Sequence, residues 1–305
     1  MQTEKWMKWA VLEGFTKILS RAFQKVVGNV SNTWAGTFLA AGIVGLVQVV
    51  FAGTVMKRKK MRFLGNPRGA IGSALFGVFA LVSTVLGFAT FLMGGDISVS
   101  TFIISLSIVP GMIIDIIFFK FRSTSREWVG MVVAIFAGYS ILGFPNLNSL
   151  TDMPTWVWLS LAGMMSVAIN QGITQKIKDV GFMFKNFWGG LMSLVLSPIA
   201  LIVMGKSGII LQFSDYSRLW GASIIIGFIV ICMWSFNLIS YQTGASIALK
   251  KLVMNSTYMI GTMFVGSIFF NEAMTINKLI AIPLFVLAFI LMDKKAYEFV
   301  RSLVK

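Results

Sequence analysis

A chain of 305 residues that is 57% hydrophobic and only 12% charged, with a mean hydropathy of +0.83, carries more apolar surface than a soluble core of that size can hide. It contains no histidine, which excludes His-based triads, di-His zinc sites and carboxylate–His relays, and one cysteine, Cys232, which excludes an intramolecular disulfide and reads as a small buried hydrophobe. The formal charge of +15 sits mainly in connecting segments such as Lys57-Arg58-Lys59-Lys60-Met61-Arg62, so it is read as membrane orientation and not as nucleic-acid binding.

In chain order, the apolar stretches predict ten membrane-spanning helices over 8–27, 33–56, 70–93, 97–119, 127–144, 155–175, 181–204, 217–240, 246–270 and 275–292. A helical path satisfies every backbone amide inside lipid. Gly and Pro mark the joints at Gly94-Gly95-Asp96, Phe144-Pro145-Asn146, Gly205-Lys206-Ser207-Gly208 and Gln242-Thr243-Gly244. With both termini cytoplasmic, the inner segments hold seventeen basic residues and the outer connections three, Lys206, Arg218 and Lys278. That bias sets the orientation expected of a multi-pass protein of the cell membrane, the inner or plasma membrane. Trp34, Trp128, Trp156, Trp158 and Trp220, near span ends, read as an interfacial belt.

The first span has two readings. Glu13, Lys17, Ser20, Arg21 and Gln24 form a polar stripe opposite Trp9, Leu12, Phe15, Leu19 and Phe23. A helix lying flat on the bilayer is one reading. It would leave Lys5, Lys8, Lys17, Arg21 and Lys25 outside, against the charge bias, so a spanning helix with its stripe turned inward is preferred. The charges also argue against a cleavable leader.

Ionisable side chains at the centre of a bilayer cost about 2.5–3.5 kcal/mol, so those retained face partners or a wet path. Seven are expected inside the membrane: Glu13, Lys17, Arg21, Asp115, Lys185, Lys250 and Lys251. Glu13 and Lys17, four apart, share a helix face and suit an ion pair. Glu13 and Asp115 are the carboxylates available for proton coupling, Asp115 alternatively pairing with Lys120 or Arg122 at the interface. Asn170, Gln171, Lys185, Asn186, Asn237, Tyr241, Lys250, Lys251 and Asn255 fall at a common depth in the cytoplasmic half. Since adjacent lysines diverge by about 100° around a helix, one of Lys250 and Lys251 is expected to reach the surface and the other to line the vestibule. The expected substrate-binding set is Lys17, Arg21, Lys185, Asn237, Tyr241, Lys250, Lys251, Asn255 and Tyr258, and the positive excess of the seven intramembrane charges, five positive against two negative, suits an anion. Trp188, Trp234, Tyr139 and Tyr258 lie deep enough either to wall a cavity or to pack between helices.

Ten spans divide into two sets of five, over 1–150 and 151–305, and an odd number of crossings inverts the second set. A shift of 150 positions lays Thr101–Leu142 on Lys251–Met292, with Gly111 over Gly261, Phe119 over Phe269 and Arg122 over Glu272. On the segments Ser105-Leu106-Ser107-Ile108-Val109-Pro110-Gly111, with Gly130 and Gly138, and Asn255-Ser256-Thr257-Tyr258-Met259-Ile260-Gly261 followed by Phe270-Asn271-Glu272-Ala273-Met274-Thr275, the sequence resembles the drug/metabolite transporter superfamily and its EamA-type repeat. Arg122 replaces that repeat's glutamate in the first half, and Ile260 replaces its proline in the second.

The resemblance implies an all-α membrane protein of ten helices in two inverted five-helix repeats around a central cavity. It implies a secondary transporter working by alternating access, with a small-molecule substrate and the lipid bilayer as partners. The positive excess adds that the cargo is anionic or carboxylate-bearing, such as an amino acid or organic acid. Nucleotide-sugar and sugar-phosphate carriers are similar in placing basic residues on the ninth helix, which keeps that substrate class open, as does a non-transporting scaffold or lipid-handling accessory role. No Walker A loop is present, so a proton or counter-substrate gradient is the expected energy source; no cofactor, metal or enzymatic activity is expected.

Overall fold

The computed structural model describes residues 5–143, 152–212, 214–292, 297–298 and 301–302. Lys294, Lys295, Lys305 and the Phe144-Pro145-Asn146 joint lie outside the described residues. The principal helices are α1 (Lys5–Ser31), α2 (Trp34–Arg58), α3 (Pro67–Leu92), α4 (Ile97–Ser105), α5 (Ile108–Phe119), α6 (Ser125–Ile141), α7 (Thr155–Lys176), α8 (Phe182–Val203), α9 (Ser217–Gln242), α10 (Ile247–Phe270) and α11 (Ile276–Met292). Helix therefore occupies each of the ten stretches marked by hydropathy, and no strand occurs among the described residues.

Six of these segments are long and apolar enough to cross a membrane: Trp34–Arg58, Pro67–Leu92, Ile97–Phe119, Phe182–Val203, Ser217–Gln242 and Val253–Phe270. Their length and composition are compatible with an integral membrane protein. The remaining predicted spans are less clear-cut: α1 interrupts its apolar face with Glu13, Lys17 and Arg21, and α6 and α11 are 17 residues each, at the lower limit for a crossing. Phe118 is 73% exposed and Val203 81% exposed on the flanks, whereas Lys185, Lys250 and Lys251 are buried. Polar groups inside and apolar groups outside are what a lipid solvent selects.

Local chemistry sets the helix ends. Thr33, Asn66 and Asp96 accept the backbone amides of Gly36, Gly69 and Val99 at the starts of α2, α3 and α4, and Pro67 sits at the first position of α3. Thr124 and Glu127 form a reciprocal capping box on α6. At the joint after α3, Gly94 takes φ +81°, a left-handed conformation that costs a residue without Cβ nothing.

The span expected over 97–119 is broken at Leu106-Ser107. Pro110 has no N–H to give the carbonyl of Leu106, which accepts from Val109 N instead at 2.9 Å. The corresponding position in α10 is Ile260, which keeps its N–H, and α10 runs unbroken from Ile247 to Phe270.

Two apolar cores flank a polar seam. One joins α2, α3, α8 and α9 around Val44, Phe76, Phe88, Ile226 and Trp234; the other joins α4, α5, α6, α10 and α11 around Phe102, Met112, Met131 and Phe285. Between them α1 packs on α9, α10 and α3, so its polar stripe faces the interior while Leu12, Phe15 and Leu19 on its other face are exposed. Glycines bring helices together at particular crossings: a Cβ on Gly77 would lie 2.4 Å from Gly189 O, and one on Gly261 2.1 Å from Ile18 Cδ1. Gly221, by contrast, faces open space. Cys232 is exposed, not buried as its apolar surroundings suggested, because its helix turns that side outward to the apolar flank.

Candidate functional site

The seam is built on α1, whose Glu13, Lys17, Arg21 and Gln24 recur every three or four residues and so face one way. Glu13 is fully buried. Its Oε1 lies 3.0 Å from Lys17 Nζ and its Oε2 2.9 Å from Lys250 Nζ of α10. Asn237 of α9 donates to Glu13 Oε1 at 3.1 Å and to Gln171 Oε1 of α7 at 2.8 Å. Gln171 Oε1 also accepts from Tyr241 Oη at 2.7 Å and from Lys250 Nζ at 2.7 Å. Lys185 of α8 closes the network, donating to Asn237 Oδ1 and Thr174 Oγ1, each at 3.2 Å, with its ammonium 3.9 Å from the centre of the Phe76 ring. One carboxylate and three ammonium groups thus tie together five helices, and the hydrogen bonds to Gln171, Asn237 and Thr174 offset the cost of burying them.

Beside this network lies a cavity of about 100 Å³, with Glu13, Lys17, Arg21, Gln171, Asn237 and Tyr258 among its walls. Phe76 and Trp234, packed edge to face with centroids 4.6 Å apart, add an aromatic side. Arg21 is 3% exposed and donates from Nη1 to Gln24 Oε1 and from Nη2 to Ser100 Oγ, both at 2.9 Å, while its guanidinium covers the Phe91 ring at 4.4 Å. Among the described residues no carboxylate comes within ion-pair distance of Arg21, and its Nε has no hydrogen-bond partner. A buried cation of this kind favours a visiting anion.

A second charged cluster lies toward the C-terminal end of α1. Lys25 pairs with Glu272, which accepts from Ile97 N at 2.6 Å, Ser98 N at 3.2 Å and Ser98 Oγ at 2.9 Å and so caps α4 from outside. Lys278 bridges Asp96 at 2.8 Å and Glu272 at 3.9 Å. Burial pulls the Asp96 carboxyl upward, but hydrogen bonding with Glu272, Lys278 and the Val99 amide, together with the Lys278 charge, holds it below the usual carboxylate range.

Of the residues expected to bind substrate, Lys17, Arg21, Asn237 and Tyr258 line the cavity, as does Glu13. Lys185, Tyr241 and Lys250 support it from the adjoining network. Lys251 and Asn255 turn elsewhere: Lys251 Nζ donates to Ser107 Oγ at 2.9 Å and Asn255 Nδ2 to Ser105 O at 2.8 Å, serving the broken turn between α4 and α5. The expectation that Lys250 or Lys251 reaches the surface is not met, because both find partners within the bundle and both are buried. Asp115 is buried on α5 and lies outside the cavity lining. Trp234 and Tyr258 wall the cavity, whereas Trp188 donates to Phe63 O in the connection between α2 and α3. Sequence reasoning did not single out Ser100, or the grouping of Lys25, Asp96 and Lys278 around Glu272; only the tertiary approach of α1, α4 and α11 assembles them.

No family model matches the chain, and no curated protein matches it. Solved structures do match. One, "Crystal structure of protein", superposes with a TM-score of 0.66 over 95% of this chain and 98% of its own, at 14% sequence identity. At that identity the likeness shows a shared fold.

Proposed function

We propose that the chain is a secondary transporter that moves a small anionic or carboxylate-bearing metabolite by alternating access. The observation that carries this reading is Arg21, a buried cation with no carboxylate partner among the described residues, on the wall of a polar cavity. A cavity of about 100 Å³ is smaller than the ~300–1,000 Å³ of drug-sized sites, which favours a short amino acid or organic acid over a nucleotide sugar. Lys17 and Arg21 would attract the carboxylate, and Asn237 and Tyr258 would orient the remainder. Glu13 is the carboxylate at the cavity available for proton coupling; Asp115 does not line it.

The helix contacts support two inverted halves over 1–150 and 151–305. Matched in order, α1 corresponds to α7, α2 to α8, α3 to α9, α4 with α5 to α10, and α6 to α11. Under this exchange the α1–α9 packing answers to α3–α7, α1–α10 to α4 and α5 on α7, and α2–α9 to α3–α8, while α2–α8 and α6–α11 answer to themselves. The cavity takes walls from α1, α3 and α4 of one half and α7, α9 and α10 of the other, as rocking between halves requires. With both termini cytoplasmic, the Lys25–Glu272 cluster becomes an outer gate and the Glu13–Lys250 pair an inner one.

Uptake into proteoliposomes tests the reading. Saturable transport of a short carboxylate, impaired in Glu13→Gln and Lys17→Ala while both variants remain in the membrane, is expected; failure of the purified protein to carry any member of a broad metabolite panel would favour a scaffold.

A further inference from the structure

A second hollow, of about 770 Å³, opens on the flank of the bundle between α3 and α5, with α7 as its floor. Both helices sit close on α7: a methyl group on Gly72 of α3 would be 2.4 Å from Ile177 Cγ2, and one on Gly172 of α7 would be 2.9 Å from Ile114 Cγ2. The walls are Ile71, Leu75, Ile114 and Phe118 and the floor Ile169 and Ile173, so the interior is apolar. Its polar lining is confined to the end where α3 begins and α5 and α7 finish, at Asn66, Arg68, Lys176 and Asp179. The Asn66 side chain is already engaged in capping α3.

Charge at that end has one dominant sign. Arg68 and Lys176 are exposed, and Arg62, Lys120, Arg122 and Lys178 lie in the adjoining connections, against the single acid Asp179 among the lining groups. An apolar trough that ends in a basic mouth at the edge of an apolar bundle matches an amphiphile with acyl chains and an anionic head. A zwitterionic lipid would fill the trough equally well and leave the mouth uncompensated. We propose that this groove is a binding site for an anionic phospholipid, its acyl chain lying along Ile71, Leu75, Phe118 and Ile173 and its phosphate held by Arg68 and Lys176. The site is separate from the polar cavity, and its occupancy is read as lipid binding whether or not the chain transports anything.

Native mass spectrometry of the detergent-purified protein, with phosphatidylglycerol and phosphatidylcholine of identical acyl chains, tests the assignment. Retention of phosphatidylglycerol over phosphatidylcholine is expected. Arg68→Gln with Lys176→Gln should weaken phosphatidylglycerol about thirtyfold and leave phosphatidylcholine unchanged. Leu75→Trp, which fills the groove, should weaken both. Equal retention of the two lipids, or undiminished phosphatidylglycerol binding in the double variant, would overturn the proposal. So would displacement by soluble glycerol phosphate at the concentration effective for phosphatidylglycerol, since a head-group pocket alone would then suffice. Should the double variant not fold, a salt titration of the unmodified protein decides: the preference for phosphatidylglycerol should fade as ionic strength rises, and salt-insensitive preference would reject the basic mouth.

Discussion

Lys250 of α10 meets the second carboxylate oxygen of Glu13 of α1 at 2.9 Å, with neither side chain exposed. Lys17 holds the first oxygen, so one buried carboxylate is shared between a local partner and a distant one. The local pair steadies a helix; the distant pair fixes which face of α1 meets α10. Because Lys250 also reaches Gln171 Oε1 at 2.7 Å, the same ammonium links α1, α7 and α10.

Removing one side of such a pair should cost more than removing both. Glu13→Ala strands two ammonium groups in a low-dielectric seam, a loss of about 3–5 kcal/mol by analogy with other broken buried pairs. Lys250→Met leaves Glu13 with Lys17 and Asn237 and should cost less. In thermal unfolding of the detergent-solubilised protein, the double variant is expected to be more stable than the sum of the two losses. Strict additivity would mean that the two charges do not interact.

Much of this seam was legible in the sequence, and the reasons are specific. Glu13, Lys17 and Arg21 announce an inward face because charges at helical spacing in an apolar stretch need partners. The common depth of Gln171, Asn237, Tyr241 and Lys250 follows from counting along antiparallel helices. Depth fixes only the height of a residue, not its direction around the helix, so depth alone groups Lys251 and Asn255 with the cavity although they turn to Ser107 and Ser105. The interruption at Leu106-Ser107 was equally hidden: Pro110 was visible, but whether a helix bends or breaks at a proline depends on neighbours able to serve the freed carbonyls. Cys232 is exposed despite its apolar neighbours because an apolar flank that faces lipid does not require burial.

Arg21 should respond to substitution as a fork and not as a point charge. Its two terminal nitrogens engage Gln24 and Ser100 separately, a geometry that an ammonium cannot reproduce. Arg21→Lys and Arg21→Gln are both expected to weaken binding of a short carboxylate by about 10- to 100-fold, the worth of one charge-assisted hydrogen bond. An uncharged analogue of the same size should lose little. Isothermal titration or ligand-induced thermal shift with the two compounds measures the difference, and equal losses would remove Arg21 from anion recognition.

Helix crossings give a test of packing that is independent of charge. At Gly77 a new Cβ would meet the backbone of Gly189, 2.4 Å from its oxygen and 2.7 Å from its Cα, and neither can rotate away. Gly77→Ala should therefore destabilise the α3–α8 contact by about 1–3 kcal/mol. Gly221→Ala, with nothing within 4 Å, should be neutral or stabilising by up to about 1 kcal/mol through helix propensity. Thermal unfolding of the two variants side by side checks the contrast; similar behaviour would mean that α3 and α8 can separate freely.

The outer cluster has a pH signature with a definite sign. The Asp96 carboxyl is held below its usual range in the folded protein, through hydrogen bonding and the Lys278 charge, and it lies outside the apolar segments. A carboxyl whose folded pKa lies below its unfolded value of about 3.9 adds stability above that value and loses it as pH falls through the folded pKa. Asp96→Asn keeps a side-chain oxygen able to cap α4 and removes the charge that meets Lys278, together with the carboxyl that faces Glu272. The variant should therefore unfold at lower temperature than the parent at pH 6–7, and the gap should close as the pH is lowered below about 4. A gap that stays constant over that range would mean that the Asp96 charge is not what the variant loses, and the Lys278–Asp96 ion pair would then have no part in holding α4 against α11.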